Sequence, residues 1–193
     1  MIFLKKKLYK NKISIIGGKW KNKKFILSKR IYLRPTLGYI RETLFNWLEP
    51  FVENAYCLDC FSGTGMLGSE ALSRKAKYVV FLDKNIELNN ILSQNLKHLK
   101  CNNYYIINTN TIKWLNNPKL SFDIVFIDPP YINIKIVNTV INFLEKNFFL
   151  KKKSWIYIEI NKKNLDPIVP NNWMIYRKKN TKNISYYLYE RNN

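Results

Sequence analysis

The chain has 193 residues, 47% of them hydrophobic, and its 33 Lys and Arg against 13 Asp and Glu give a formal net charge of +20. This length fits one ordinary domain with a small appendage at most, and so hydrophobic a chain is not expected to be disordered. No stretch approaches the ~20 apolar residues of a membrane span, and the first residues lack the order of a signal peptide. We therefore expect a cytoplasmic protein with no membrane partner.

The positive charge is concentrated at the start of the chain. The first 41 residues contain 13 Lys or Arg and no Asp or Glu. An arm of this composition usually binds a polyanion, and nucleic acid is the first candidate. The alternative is drift in an AT-rich genome, which explains the many lysines but explains less well a segment without acids. We expect residues 1–33 to form a basic extension that contacts RNA, with Trp20 available to stack on RNA or pack beside it.

The cysteines do not indicate a disulfide framework or a metal site. Cys57 and Cys60 form a C-x-x-C pair inside an apolar, strand-like run, and Cys101 is the third cysteine. No second cysteine pair or histidine cluster completes four zinc ligands, since His98 is the only histidine. We expect three buried small residues and no metal, with a redox or zinc role as the minor alternative.

The first predicted elements are a hairpin and a helix. Residues 13–16 and 23–27 have the pattern of short strands around Gly17-Gly18. Thr36 is a candidate N-cap for a helix whose apolar residues recur at helical spacing as far as Pro50.

From about residue 54 onward, strand-like and helical segments alternate. The expected strands are 55–60, 77–83, 104–108 and 122–128. The expected helices are about 65–74, 86–99, 111–116 and 134–146. Such alternation predicts an α/β fold with a mostly parallel sheet and helices on both faces.

The end of the chain has a different pattern. A strand at 154–160 follows the three lysines at 151–153, which we interpret as an exposed loop. Two more strands at 173–179 and 184–190 are joined by a short polar turn. They predict a C-terminal antiparallel hairpin on the otherwise parallel sheet.

A glycine-rich loop follows the first strand of the alternating region. Gly63, Gly65 and Gly68 form a G-x-G-x-x-G pattern between a strand and a helix. Their missing side chains let the backbone approach a ligand closely, and the helix start supplies unpaired N–H donors. Asp83 ends the next strand, where an acid accepts from both hydroxyls of a ribose, unless it merely caps the next helix. The pattern suits either a nicotinamide dinucleotide or S-adenosylmethionine.

The tetrad Asp128-Pro129-Pro130-Tyr131 decides between these cofactors. It follows the apolar run 122–127, and its prolines fix the backbone. The carboxylate and the first proline's carbonyl can both accept from an amino group, while the aromatic ring offers a flat face. Methyl transfer to an exocyclic nitrogen needs such an arrangement, whereas hydride transfer does not. We therefore expect S-adenosylmethionine as the cofactor. For Tyr131, the alternative to a contact with the target base is an ordinary aromatic residue of the core.

Together these segments resemble the bacterial 16S ribosomal RNA (guanine-966-N2)-methyltransferases over most of the chain. The segments that carry the resemblance are IIGGKW at 15–20, RPT at 34–36, RETLFNWL at 41–48, LDCFSGTG at 58–65, EALSR at 70–74 and DPPY at 128–131. The resemblance implies a Rossmann-like class I methyltransferase fold at 34–193. It also implies methyl transfer from S-adenosylmethionine to guanine N2 in 16S rRNA or the small ribosomal subunit. We expect a monomer.

The resemblance also implies two groups of site residues. The cofactor group comprises Asp59, Gly63 and Gly65 along the pocket, Asp83 at the ribose and Asn110 near the adenine ring. The target-base group comprises Asp128, Pro129 and Tyr131. The family often has an acid where Asn85 stands, so we assign no role to Asn85.

Two other functions remain open. The tetrad is shared by amino-methyltransferases acting on adenine, guanine or glutamine, so an adenine-N6 methyltransferase on RNA or DNA is possible. Against DNA, the chain has no room for a sizeable recognition domain. A non-catalytic RNA-binding assembly factor with the same fold is the second alternative. The intact glycine loop, Asp83 and the tetrad argue against it.

Overall fold

The computed structural model describes residues 12–27, 36–117, 120–130 and 134–192. In these ranges the strands are β1 (Lys12–Ser14), β2 (Lys24–Ile26), β3 (Tyr56–Asp59), β4 (Tyr78–Asp83), β5 (Tyr104–Asn108), β6 (Phe122–Ile127), β7 (Leu150–Asn161), β8 (Trp173–Asn180) and β9 (Ile184–Arg191). The helices are α1 (Gly38–Val52), α2 (Met66–Ser73), α3 (Ile86–His98), α4 (Thr111–Leu115) and α5 (Ile134–Lys146). All predicted elements are present, with shifted ends.

The main sheet has seven strands in the order β5-β4-β3-β6-β7-β9-β8. Strands β3 to β7 pair in parallel, and β9 runs antiparallel between β7 and β8. The predicted parallel sheet with a C-terminal antiparallel hairpin is therefore confirmed. The chain builds outward from β3 to β5 and then returns to place β6 on the other side of β3. Open sheets bind ligands at such a switch point, outside the carboxyl ends of the strands.

Each face of the sheet has its own hydrophobic core. Helices α1, α2 and α3 cover one face, which we call the α1 face, and contribute Leu44, Leu72 and Leu92 to its core. Helices α4 and α5 cover the other face with residues such as Leu115 and Val140. Because successive side chains of a strand point to opposite faces, the long apolar run of β6 supplies both cores. None of the helices in the described ranges combines the length and the apolar character of a membrane span.

The three cysteines are buried and free of disulfides, as expected. Burial raises the pKa of the Cys60 and Cys101 thiols. Neither thiol is therefore activated as a nucleophile at neutral pH.

The described part of the basic extension is packed against the rest of the chain. Strands β1 and β2 pair antiparallel, which confirms the predicted hairpin. Ile15, Trp20 and Phe25 point inward and join the core of the α1 face. Trp20 is only 8% exposed, and its backbone N–H donates to Ser73 Oγ at 3.0 Å. The expectation that Trp20 is available to RNA is therefore wrong, because its ring closes the core between the hairpin and α2.

A buried ionic cluster of Arg41, Glu70 and Arg74 fastens this hairpin. Glu70 is fully buried, and its Oε1 accepts from Arg41 Nη1 at 2.8 Å and from the Ile16 backbone N–H at 2.7 Å. Its other carboxylate oxygen accepts from Arg74. Arg41 in turn donates to the carbonyl of Ser14. The cluster therefore ties α1 and α2 to the chain around β1.

An asparagine fastens the second strand of the hairpin. Asn95 Oδ1 accepts from the Ile26 N–H at 2.9 Å, and its Nδ2 donates to the Ile26 carbonyl at 3.0 Å. This side chain pairs with β2 as a neighbouring strand would, and it binds the hairpin to α3.

Both predicted ends of α1 are wrong. Leu37, and not Thr36, occupies the N-cap position, and no side chain caps this end. The helix also continues past Pro50 to Val52. Proline removes one backbone donor but leaves the last turn otherwise intact. In this last turn the Phe51 ring stacks on Trp155 of β7, with centroids 3.9 Å apart.

The interpretation of 151–153 as an exposed loop is also wrong, because these lysines belong to β7. Lys151 Nζ donates to Asp123 Oδ2 at 2.7 Å and lies over the ring of Tyr56. Lys153 pairs with Glu190 at 2.9 Å. Neighbouring acids and aromatic rings therefore accommodate a cationic run within a strand.

Candidate functional site

A cavity of about 600 Å³ lies at the carboxyl edge of the sheet, above the switch point between β3 and β6. Loops after β3, β4 and β6 line it, together with the end of β7 and the start of β9. The predicted site residues that line it are Asp59, Gly63, Asp83, Asp128 and Pro129. The structure therefore brings the predicted cofactor loop and the target-base residues into one space. Tyr131 lies outside the described residues, so its role stays a prediction.

Four acidic residues form a row along this cavity. The acid row, in spatial order over β4, β3, β6 and β7, is Asp83, Asp59, Asp128 and Glu159. Asp59 pairs with Phe81 of β4 and with Phe126 of β6. Side chains alternate along a strand, so Asp83 and Asp128, each two positions after one of these partners, lie on the same face as Asp59. A cavity with this row attracts cations even though the protein as a whole is strongly positive.

The cofactor end of the row contains a deeply buried carboxyl group. Asp59 is 2% exposed, and its Oδ2 accepts from the Gly68 N–H at 3.1 Å. Burial raises the pKa of Asp59 to about 7, and the charges of Asp128 and Asp83 act in the same direction. The Gly68 hydrogen bond opposes this rise. A cation placed in the cavity would favour the ionised form of Asp59.

The three glycines of the loop have different roles. Gly63 has a φ of +51°, and a Cβ there would come no closer than 3.9 Å to its surroundings, so the loop is open at this point. Gly65 has a φ of +73°, and its Cβ would meet Leu92 at 2.3 Å. A Cβ on Gly68 would meet Phe81 at 2.2 Å. Gly63 therefore borders the cavity, whereas Gly65, which does not line it, and Gly68 allow α2 to pack closely.

Asp83 is held in position by the backbone on both sides. Its Oδ2 accepts from the Gly63 N–H and its Oδ1 from the Asn85 N–H, each at 2.8 Å. Asn85 caps α3, with its side chain accepting from the backbone N–H groups of Glu87 and Leu88. The alternative that Asp83 caps this helix is therefore wrong. The carboxylate is instead fixed at the edge of the cavity beside the glycine loop.

Asn110 lies beyond the residues that line the cavity. It is the N-cap of α4, where its Oδ1 accepts from the Lys113 N–H at 3.1 Å. Its predicted place near an adenine ring stays a prediction.

The other end of the row contains the predicted target-base residues. Thr36 Oγ1 donates to Asp128 Oδ2 at 2.8 Å, and Thr36 also lines the cavity. Pro129 is buried and Pro130 exposed, so the two prolines form the rim next to Asp128. The hydroxyl misassigned as a helix cap therefore orients the carboxylate of the tetrad.

Glu159 is a cavity residue that the sequence analysis did not identify. It is 5% exposed, and Tyr157, which is fully buried below it, donates its hydroxyl to Glu159 Oε2 at 2.9 Å. Burial raises the pKa of Tyr157 well above its usual value, and the charges of Glu159 and Asp128 act in the same direction. The sequence contained one sign of this role. Trp155, Tyr157 and Glu159 alternate along one face of a strand, and the charged residue stands at the carboxyl end of that strand.

Comparisons with known proteins agree with this geometry. Residues 13–190 match the family described as conserved hypothetical protein 95. The chain is 46% identical to the ribosomal RNA small subunit methyltransferase D of Buchnera aphidicola (subsp. Acyrthosiphon pisum), over 93% of each chain. It is 40% identical to the Escherichia coli K12 protein of that name, over 93% of this chain and 90% of the relative.

Solved structures show the same fold. A putative methyltransferase from Escherichia coli superposes with a TM-score of 0.88 at 38% identity, covering 94% of this chain and 99% of its own. A putative methylase from Haemophilus influenzae superposes with a TM-score of 0.81 at 38% identity and the same coverage of both chains. The expected class I methyltransferase fold is thereby confirmed. The chain is a methyltransferase that belongs to the family described as conserved hypothetical protein 95, and the ribosomal RNA small subunit methyltransferases D are its close relatives.

Proposed function

We propose that this enzyme transfers a methyl group from S-adenosylmethionine to the N2 amine of one guanine in 16S rRNA of the small ribosomal subunit. The observation that carries the proposal is the single cavity that joins the glycine loop to Asp128 and Pro129. The names of the relatives support ribosomal RNA as the substrate. The basic hairpin supports an RNA partner.

The residues above β3 and β4 fit S-adenosylmethionine. Asp83 is oriented to accept hydrogen bonds from ribose hydroxyls, and the open position at Gly63 leaves room for a ligand next to the backbone. The buried carboxyl of Asp59 suits the cationic part of the cofactor. When bound, the cofactor supplies a methyl group on a positively charged sulfur. No metal is needed for this transfer.

The residues above β6 make the amine reactive. The lone pair of a guanine amine is conjugated into the ring, which makes it a poor nucleophile. Hydrogen bonds from the amine to the Asp128 carboxylate and the Pro129 carbonyl localise the lone pair. They also stabilise the positive charge that develops on nitrogen. Thr36 fixes the carboxylate for this task. Transfer leaves the nitrogen with one proton too many, and Asp128 is placed to accept it.

Methyl transfer to small ribosomal subunits that lack the modification tests the proposal. The subunits are incubated with enzyme and labelled S-adenosylmethionine, and the RNA is digested to nucleosides. We expect N2-methylguanine at a single site. N6-methyladenine would keep the chemistry and overturn the guanine target. Measurable cofactor binding without any transfer would instead favour a different methyl acceptor.

Cofactor affinity is expected to rise with pH. The pKa of Asp59 is raised to about 7, so the free enzyme has this carboxyl largely protonated at pH 6 and ionised at pH 8. A cationic ligand binds the ionised form better, so binding releases a proton, and affinity increases by up to about tenfold over this interval. Isothermal titration calorimetry in two buffers of different ionisation enthalpy measures both quantities.

The control for this titration is Asp59→Asn, which retains an acceptor for the Gly68 N–H. Its affinity is expected to be independent of pH between 6 and 8. A wild-type profile as flat as that of the variant would show that Asp59 is not linked to the cofactor.

The exposed lysines of the hairpin are expected to contact RNA phosphates. Lys21 and Lys24 are exposed while the apolar residues between β1 and β2 face inward. In Lys21→Gln/Lys24→Gln the slope of log affinity against log salt should become shallower by about 0.7–0.9 for each phosphate that a lysine no longer neutralises. The control is Lys113→Gln/Lys146→Gln, on the face covered by α4 and α5, where the slope should not change. Equal slopes for the wild type and both variants would mean that the hairpin lysines do not contact RNA and reflect the AT-rich composition of the genome.

A further inference from the structure

Glu159 and Asp128 lie at the same edge of the sheet. Ile127, the last residue of β6, pairs with Ile158 of β7, so Asp128 directly follows β6 where Glu159 continues β7. Phe126 and Tyr157, two residues before each acid, are paired and belong to the core of the α1 face, so both acids lie on that side of the sheet. Both line the cavity at its target-base end. A planar base whose amine reaches Asp128 thus has its adjacent ring edge near Glu159.

The carboxylate of Glu159 is expensive to keep at this position. The residue is 5% exposed, and burying a carboxylate costs several kcal/mol unless hydrogen bonds compensate. Tyr157 gives one such bond at 2.9 Å and thereby orients the group. A carboxylate can accept more than one hydrogen bond, so Glu159 can also accept from a ligand in the cavity that it lines.

Guanine offers such an acceptor a hydrogen-bond donor that adenine lacks. Its N1–H and its N2 amine are neighbouring donors on one edge of the ring. The corresponding edge of adenine presents an acceptor nitrogen beside its amine. Two adjacent carboxylates accept from both guanine donors, whereas the lone pair of adenine N1 would face a negative charge.

We propose that Glu159 determines specificity for guanine by accepting the hydrogen bond of the N1–H, while Asp128 accepts from the N2 amine. This inference rests on the proposed function, since it assigns the base that the same cavity takes. Tyr157 is a positioning residue that sets the direction of the Glu159 carboxylate.

A guanine analogue without the N1–H tests the proposal. 2-Aminopurine keeps the amine at position 2 but has an unprotonated N1 and no O6. Small ribosomal subunits are assembled from RNA with guanine or 2-aminopurine at the methylated position, and kcat/KM for methyl transfer is measured on each. The ratio of the two values is compared between wild type and Glu159→Gln. The glutamine keeps an acceptor for Tyr157 but removes the charge, and its amide can donate to the unprotonated N1.

The wild-type enzyme is expected to prefer guanine, and Glu159→Gln is expected to reduce that preference by about 10–100-fold, the range of a hydrogen bond to a charged group. The missing O6 affects both enzymes alike and cancels in this comparison. Glu190→Gln is the matched control, because Glu190 pairs with Lys153 and does not line the cavity. Its preference for guanine should equal that of wild type.

Two results would overturn the inference. The first is an unchanged preference in Glu159→Gln. The second is a loss of preference in Glu190→Gln as large as that in Glu159→Gln, which would show that the effect does not depend on a carboxylate in the cavity. Wild-type formation of N2-methylguanine in the same assay keeps the proposed function standing in either case. Wild-type methylation of an adenine would overturn the proposed function itself.

Discussion

Replacing Asp128 with alanine is expected to lower kcat for methyl transfer at least about a hundredfold, while the affinity for S-adenosylmethionine stays nearly unchanged. In the proposed mechanism the carboxylate accepts from the amine as positive charge develops on it. The proposed cofactor site lies instead above β3 and β4, where Asp83 accepts from the Gly63 and Asn85 N–H groups. Single-turnover transfer and equilibrium cofactor binding, measured on the same preparation, separate these two effects.

Two further variants show what the carboxylate contributes. Asp128→Asn keeps the shape and the acceptor oxygen but removes the charge, so its kcat should be nearly as low as that of the alanine variant. Thr36→Val keeps the charge but removes the hydroxyl that donates to Asp128 at 2.8 Å, and its kcat should fall only about tenfold. If Asp128→Ala keeps even a tenth of wild-type activity, Asp128 has no catalytic role.

Much of the fold follows from local patterns in the sequence. Strand–helix alternation predicts the parallel sheet because each crossover helix must cover one of its faces. The glycine loop and the tetrad each follow an apolar run, so both are expected at the carboxyl edge of the sheet. What the sequence does not contain is the register between strands. Glu159 lines the cavity only because β7 pairs with β6 so that Ile158 lies opposite Ile127, next to the tetrad.

The errors have a common physical cause. Thr36 has the chemistry of a helix cap, and Trp20 that of a surface aromatic in a basic arm. Tertiary contacts determine what these residues do in the structure. The threonine hydroxyl donates to Asp128, 92 residues away, and the Trp20 indole is buried in the core of the α1 face. The cofactor role of Gly65 stays a prediction, and the structure adds that a Cβ there would meet Leu92 of α3. Local chemistry predicts what a side chain can do, and packing selects its partner.

The buried ionic cluster gives the largest expected effect on stability. Glu70 is fully buried and receives hydrogen bonds from two arginines and one backbone N–H. Burial lowers the pKa of Arg41, and the charge of Glu70 opposes this effect. Glu70→Ala leaves Arg41 and Arg74 close together without their shared acid. The free energy of unfolding should fall by about 3–5 kcal/mol, as for other broken buried ion pairs. Urea denaturation measures it.

The same substitution should also release the hairpin, because Glu70 accepts directly from the Ile16 backbone. Trypsin is then expected to cleave at the lysines of residues 12–27 faster than it does in the wild-type protein. Glu53→Ala is the control, since the Glu53 and Lys75 side chains are 59% and 71% exposed and their ion pair contributes about 0–1 kcal/mol. A loss in Glu70→Ala no larger than that in Glu53→Ala would mean that the apolar residues of the hairpin and its hydrogen bonds to Ser73 and Asn95 hold it without the ionic cluster. A large loss with unchanged trypsin cleavage would place the role of Glu70 between α1 and α2 instead.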